Sequence, residues 1–184
     1  MPTYLDNLYI DPAVAALIEA CIAVLFATAA LHKLRDLQHF QAVLSAYALL
    51  PRRLDWPVAR LLPLLEVLVA AGLLLARWQA ALAALGLLVL YAAAIGVNLL
   101  RGRRDVDCGC GAPQDRRPIG AWMVWRNLTL ALALASALLP WDPRPLAATD
   151  LITISFGAVS CILIYFSGSA ARDGGTTAYE AHLT

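Results

Sequence analysis

The sequence predicts an all-α membrane protein, a polytopic helical bundle of about five transmembrane helices. Of its 184 residues, 61% are hydrophobic and only 15% are charged, whereas soluble domains are about 45–50% apolar and about 25% charged. Only helices satisfy every backbone amide in lipid without closing a barrel. The net charge of +1 gives no field that would attract a polyanion. The lipid bilayer is therefore an expected partner, and nucleic acid is not.

Five apolar runs account for the predicted spans. They cover residues 12–31, 58–76, 80–100, 121–139 and 151–166. About twenty apolar residues cross a hydrocarbon core about 30 Å thick. Asp11 and Pro12 fit an N-cap followed by proline at the first helical position. No Lys or Arg precedes the first run, and a signal peptide needs a basic n-region, so we expect this run to be a span.

A short amphipathic helix is predicted after the first span, over residues 37–50. Its apolar side chains recur at helical spacing and comprise Leu37, Phe40, Val43, Leu44, Tyr47 and Leu50. Fourteen residues are too few to span a bilayer, and Pro51 is expected to stop the helix. Residues 1–166 are thus predicted to form a single transmembrane domain, and residues 167–184 a polar C-terminal tail.

The basic residues are distributed unequally between the two faces that five spans define. Of the 14 Lys and Arg residues, only Arg77 and Arg144 fall on one face. The other twelve are Lys33, Arg35, Arg52, Arg53, Arg60, Arg101, Arg103, Arg104, Arg116, Arg117, Arg126 and Arg172. The positive-inside rule then predicts a cytoplasmic basic face and an external N-terminus, in a bacterial inner membrane. The loop after the third span, residues 101–120, is predicted to be cytoplasmic.

Two cysteines in that loop are the sharpest chemical feature. Cys108 and Cys110 lie in the sequence Asp-Cys-Gly-Cys-Gly, separated only by Gly109. A disulfide between them closes a small, strained ring, which glycine tolerates best and which makes the bond easier to reduce. The arginines just upstream favour the thiolate, which is the reactive form. The pattern predicts a catalytic thiol pair at Cys108 and Cys110.

Two other interpretations of this pair stay open. The thiols could be half of a metal site, completed by His32 and His39 from the same face, or they could be spectators in a tight turn. Cys21 and Cys161 each lie within an apolar span and are expected to act as small hydrophobic residues.

Charged residues inside spans are costly and point to function by default. Glu66 falls within the second span and Arg126 within the fourth, followed by Asn127. An ion pair of Glu66 with either Arg126 or Lys33 would keep both charges inside the bundle. Lys33, Glu66, Arg126 and Asn127 are therefore candidates either for structural pairing or for binding a cofactor, with a membrane quinone as the candidate ligand.

Several short motifs together resemble a known family. The segments Leu-His-Lys-Leu-Arg-Asp (31–36) and Tyr-Ala-Leu-Leu-Pro (47–51) look like the first part of DoxX-like membrane proteins. The remaining features look like the MauE family of methylamine-utilization proteins; these are Pro63 with Glu66, Asn-Leu-Leu-Arg-Gly (98–102), Asp-Cys-Gly-Cys-Gly (107–111) and Trp-Arg-Asn (125–127). The Asp-Cys-Gly-Cys-Gly element is the most specific of them.

The resemblance implies a four-helix DoxX-like core, followed by a fifth helix, and a role in maturing methylamine dehydrogenase. The small (β) subunit of that enzyme is exported, rich in disulfides and carries a tryptophan-derived quinone. The family is held to assist processing, export or disulfide formation of this subunit beside a thioredoxin-like partner. Cys108 and Cys110 would then exchange disulfides, with a membrane quinone as the candidate electron acceptor. The alternative is a non-catalytic membrane factor for assembly or export of the same subunit.

The predicted orientation and the implied function disagree. Direct disulfide donation to an exported subunit needs Cys108 and Cys110 outside, whereas the charge distribution predicts that their loop is cytoplasmic. Either the pair passes electrons through the bundle, or the family is an exception to the charge rule.

Overall fold

A computed structural model of the chain describes residues 10–108, 118–139, 147–160 and 163. Within these ranges it contains helices and no strand, which confirms the all-α prediction. In chain order the helices are α1 (Pro12–Arg35), α2 (Leu37–Tyr47), α3 (Arg52–Leu74), α4 (Trp78–Leu100), α5 (Ala121–Ala137) and α6 (Ala148–Ser160).

Three of these helices, α1, α3 and α4, are long and apolar enough to cross a membrane. The five-span prediction is therefore met only in part. Helix α5 has 17 residues, about 25 Å at 1.5 Å per residue, which falls short of a hydrocarbon core about 30 Å thick. Helix α6 is also shorter than the three spans. The end of the fifth predicted span, apart from Leu163, and the predicted tail lie outside the described residues.

Helices α1, α3, α4 and α5 pack side by side in a ring. Helix α1 contacts α3 and α5, α4 contacts the same two helices, and α2 packs against α3 and α1. The core between them is formed by aliphatic and aromatic side chains, including Ile22, Phe26, Val69, Leu73, Leu88 and Leu134. Large apolar side chains also cover the outside, among them Leu61, Leu68 and Leu132. Such a surface suits a lipid environment, so a membrane helical bundle fits the structure.

The start of α1 and the join to α2 follow the sequence. The Asp11 side chain accepts a hydrogen bond from the Ala13 amide at 2.8 Å, so the predicted N-cap is confirmed. Asp36, at the C-cap of α1, also caps α2 by accepting from the His39 amide at 2.9 Å. One carboxylate thus ends the first span and begins the amphipathic helix.

Two helix boundaries differ from the prediction. Helix α2 ends at Tyr47 rather than Leu50, because Ala48 adopts a left-handed conformation with φ 49°. Helix α3 begins at Arg52, six residues before the predicted span, since Pro51 is extended and serves as its N-cap residue. Pro57 and Pro63 are accommodated inside α3, where each removes one backbone donor.

The α3–α4 pair makes a very close approach at Gly72. A Cβ atom added there would lie 2.5 Å from the Cβ of Ala80. Only glycine therefore fits at this position without moving one helix away from the other.

Candidate functional site

A buried charged cluster lies among the helices of the bundle and consists of Lys33 on α1, Glu66 on α3 and Tyr91 on α4. Lys33 Nζ forms an ion pair with Glu66 Oε1. The Tyr91 hydroxyl donates to the same oxygen at 2.5 Å, and Lys33 Nζ donates to the Tyr91 hydroxyl at 3.4 Å. Glu66 is fully buried and Lys33 is only 4% exposed. Both charges are thus kept inside the bundle by pairing with each other.

All four residues predicted as cofactor-site candidates border one cavity, which we name the inner cavity. Its volume is about 160 Å³, and its polar lining residues include Lys33, Glu66, Arg126 and Asn127. The rest of the lining is mainly apolar: Ile22, Leu25, Phe26, Ala29, Leu88 and Leu130, with Tyr91 at one side. The helices thus bring together residues that are up to 94 positions apart in the sequence (127 − 33).

Of the two predicted pairings of Glu66, the structure forms the one with Lys33. Among the described residues, Arg126 makes no ion pair with Glu66; its guanidinium lies over the Trp122 ring at 5.3 Å. Within the described part of the chain, Glu66 Oε2 and Arg126 Nε are both buried without a hydrogen-bond partner. Asn127 donates to the Met123 carbonyl at 2.9 Å. Two of the residues that line the inner cavity, on α3 and α5, thus each have a polar atom with no partner among the described residues.

Cys108 is held in place through its neighbour Asp107. Asp107 and Pro118 form an antiparallel bridge, and the Ile119 amide donates to the Val106 carbonyl at 3.0 Å. Asp107 Oδ2 also lies 3.1 Å from His39 Nε2 on α2. Cys108 thus follows a residue that is fixed to α2. Cys110, the second cysteine of the predicted pair, lies outside the described residues. The same holds for Cys161 of the predicted fifth span.

Cys108 borders a second cavity, which we name the thiol-side cavity. Its volume is about 260 Å³, and most of its lining is apolar, from α2, α3 and α4. Lys33 and Tyr91 line this cavity as well as the inner one. Lys33 and Tyr91 are therefore shared by the two cavities, whereas Cys108 lines only the thiol-side cavity and Glu66 and Arg126 line only the inner one.

The described residues contain no group of three or more His, Cys, Asp and Glu side chains arranged to hold a metal ion. His39, which the metal interpretation needs, is engaged with Asp107.

Tyr91 was not predicted as a site residue, although it is one of only two polar side chains between Ala80 and Leu100, the other being Asn98. The hydroxyl within an otherwise apolar run was the available signal, because a buried tyrosine hydroxyl needs a hydrogen-bond partner. In the structure that partner is Glu66.

Chemically, the thiol-side cavity brings a thiol and an ammonium group to one mainly apolar space. Cys108 provides a nucleophile, Lys33 provides N–H donors, and the apolar lining favours a lipid-soluble ligand over an ionic one.

Comparison with known proteins identifies the family of this chain. A family model described as "Methylamine utilisation protein MauE" matches residues 11–142. The chain is 39% identical over 163 residues to methylamine utilization protein MauE of Paracoccus denitrificans, covering 87% of this chain and 88% of the relative. It is 41% identical over 162 residues to MauE of Paracoccus versutus, covering 86% and 87%. No solved structure gives a significant match. The chain therefore belongs to the MauE family of methylamine utilisation proteins.

Proposed function

We propose that this protein is a thiol–disulfide redox factor of the inner membrane that helps to mature the small subunit of methylamine dehydrogenase. Cys108 and Cys110 are the redox pair, and a thioredoxin-like protein is the exchange partner. The observation that carries the proposal is that Cys108 borders an apolar cavity that is also lined by the buried Lys33 and by Tyr91. A spectator thiol in a surface turn needs no such cavity.

The proposed exchange balances as follows. A thiolate of the partner attacks the Cys108–Cys110 disulfide and forms a mixed disulfide, and the second partner thiolate then displaces the remaining sulfur. The partner gains a disulfide and the Cys108–Cys110 pair becomes a dithiol. A membrane quinone takes up the two electrons and two protons that restore the Cys108–Cys110 disulfide.

The proposal includes the predicted topology. Five spans, with α5 and the region of α6 as the fourth and fifth, place the basic face and the Cys108 loop in the cytoplasm. Because the exported subunit is folded in the periplasm, electrons from its thiols then have to cross the membrane to reach Cys108, either through a partner protein or through the helical bundle.

Serine substitution tests the redox role. Cys108→Ser and Cys110→Ser should each abolish formation of mature dehydrogenase in cells. The protein itself should lose less than about 1 kcal/mol of stability, because Cys108 is only partly buried and serine differs from cysteine by a single atom. The matched control is Cys21→Ala, in the middle of α1, which should leave dehydrogenase activity unchanged.

Trapping distinguishes the redox factor from a non-catalytic assembly factor. If one cysteine is replaced by serine, the other should be caught in a mixed disulfide with a partner after acid quenching and alkylation. Normal dehydrogenase levels in both serine variants would contradict the redox role and favour the assembly factor.

A further inference from the structure

We propose that the quinone ring binds in the thiol-side cavity, between Cys108 and the Lys33–Tyr91 pair. This inference rests on the proposed function and specifies where its oxidant binds. It departs from the expectation that Glu66, Arg126 and Asn127 hold the cofactor, because those residues border the inner cavity.

The size and lining of the thiol-side cavity suit a substituted ring. A dry cavity of about 150 Å³ holds benzene, whereas this cavity measures about 260 Å³. Its apolar lining includes Phe40, Val43, Leu62 and Ile95. The additional volume accommodates ring substituents and the first part of an isoprenoid chain.

The polar wall of the cavity offers what a quinone carbonyl requires. A carbonyl oxygen only accepts hydrogen bonds, and a lysine ammonium has three N–H donors and no acceptor. In the described part of the chain, Lys33 Nζ donates to Glu66 and Tyr91, so one N–H is left for a ligand. Glu66 balances the charge, so a neutral ligand can bind beside Lys33 without an excess charge in the bundle.

The cavity has an apolar approach from the outside of the bundle. Three of its lining residues, Leu49, Leu50 and Leu90, are 39%, 37% and 55% exposed. A ligand dissolved in the bilayer can therefore enter past leucine side chains without crossing a polar surface. This entry favours a lipid-soluble quinone over a water-soluble oxidant.

The position of Cys108 decides between the two cavities. Exchange of two electrons between a dithiol and a quinone needs contact of a sulfur with the ring. Cys108 lines the thiol-side cavity and is not among the residues that line the inner one. In the step itself, the two S–H bonds of Cys108 and Cys110 break and an S–S bond forms. Two electrons and two protons reduce the two ring carbonyls to hydroxyls.

Filling each cavity separately tests the site. Ala94 lines only the thiol-side cavity and Ala29 only the inner cavity. The full-length protein, purified in detergent and reduced, is mixed with decylubiquinone, and both quinol formation and loss of free thiols are measured. Ala94→Phe should slow both at least about tenfold, equivalent to about 1.4 kcal/mol. Ala29→Phe should react like the unchanged protein.

A misfolded variant is recognised by gel filtration and by oxidation of the same thiols with diamide, which needs no binding site. If Ala94→Phe does not fold, Ala94→Leu replaces it, with Ala29→Leu as its control. The inference is overturned if the Ala94 variant forms quinol as fast as the unchanged protein. It is also overturned if only the Ala29 variants form quinol more slowly. If the unchanged protein fails to reduce decylubiquinone while the serine variants still lack mature dehydrogenase, the quinone site is wrong and the redox role stands.

Discussion

Lys33 is surrounded by aromatic rings as well as by its carboxylate partner. Its Nζ lies 5.1 Å from the centre of the Phe40 ring and 4.9 Å from that of Tyr91. A cation over a ring face is stabilised by about 2 kcal/mol when desolvated. The ammonium group is therefore stabilised by three residues from α2, α3 and α4, which fixes its position at the wall between the two cavities.

Removing either member of the ion pair should destabilise the bundle strongly. Lys33→Met leaves the Glu66 carboxylate buried and uncompensated, and Glu66→Gln does the same to the Lys33 ammonium. Each change is expected to cost about 3–5 kcal/mol, whereas the double variant should lose clearly less than the sum. Denaturant unfolding in detergent micelles measures the three free energies.

The matched control combines Glu66→Gln with Arg126→Met. Arg126 borders the same cavity, but among the described residues it makes no ion pair with Glu66, so the coupling between these two losses should be clearly smaller than that between Lys33 and Glu66. A coupling as large as that of Lys33 with Glu66 would contradict the pairing in the structure.

At the residue scale, the sequence predicted that Glu66 would be buried with a basic partner, but not which partner it has. Glu66 was recognisable because a carboxylate is costly inside an apolar run. The choice between Lys33 and Arg126 depends on how α1, α3 and α5 are rotated about their axes, which spacing along one helix does not specify. The contact of His39 with Asp107 likewise joins residues 68 positions apart and had no local signal.

At the scale of the helices, the apolar pattern located most elements, and local backbone geometry corrected their ends. Helix α2 was predictable because apolar side chains recur along it at helical spacing. Its end at Tyr47 was not, since an alanine in the left-handed conformation is unusual. The pattern also could not show that α3 extends back to Arg52, because its first turns are polar and contain proline.

The close approach of α3 and α4 makes a specific prediction. Gly72→Ala should cost about 1–3 kcal/mol, because the new methyl group overlaps Ala80. Gly86→Ala in α4 is the matched control: an added Cβ there meets nothing within 4 Å, so this change should be neutral or stabilise by up to about 1 kcal/mol. Thermal unfolding in detergent compares the two variants.

The double variant Gly72→Ala with Ala80→Gly checks the cause. It should recover most of the stability, since the contacting methyl group is removed. Equal stability of the Gly72 and Gly86 variants would show that the two helices are not so close.

For the whole molecule, α2 and the loop after α4 lie at the same end of the bundle. His39 on α2 contacts Asp107, and the Arg101 guanidinium donates to the Ala48 carbonyl at 3.4 Å. Both segments must therefore lie on the same side of the membrane. The basic residues of the two segments therefore count toward the same face in the positive-inside rule.

The orientation can be measured with reporter fusions. An external loop would require translocation of the five arginines of residues 101–120 across the membrane. Each positive charge moved against the membrane potential costs about 2.3 kcal/mol per 100 mV. The opposite topology requires translocation of only Arg77 and Arg144. Alkaline phosphatase fused after Trp141 should be active in the periplasm, and the fusion after Gly111 should be inactive. The reverse result would place Cys108 beside exported substrates and make direct disulfide donation the mechanism.

The ion pair between Lys33 and Glu66 also has a consequence for biogenesis. Lys33 lies in the last turn of α1, whereas Glu66 lies well inside α3. When α3 leaves the translocon during synthesis, its carboxylate therefore needs the Lys33 ammonium of α1, because an unpaired charge well inside a span costs about 2.5–3.5 kcal/mol on insertion. The two helices are therefore expected to enter lipid together, with α2 held between them at the membrane surface. Without Lys33 in α1, the carboxylate of Glu66 would enter lipid unpaired, and α3 should insert less efficiently.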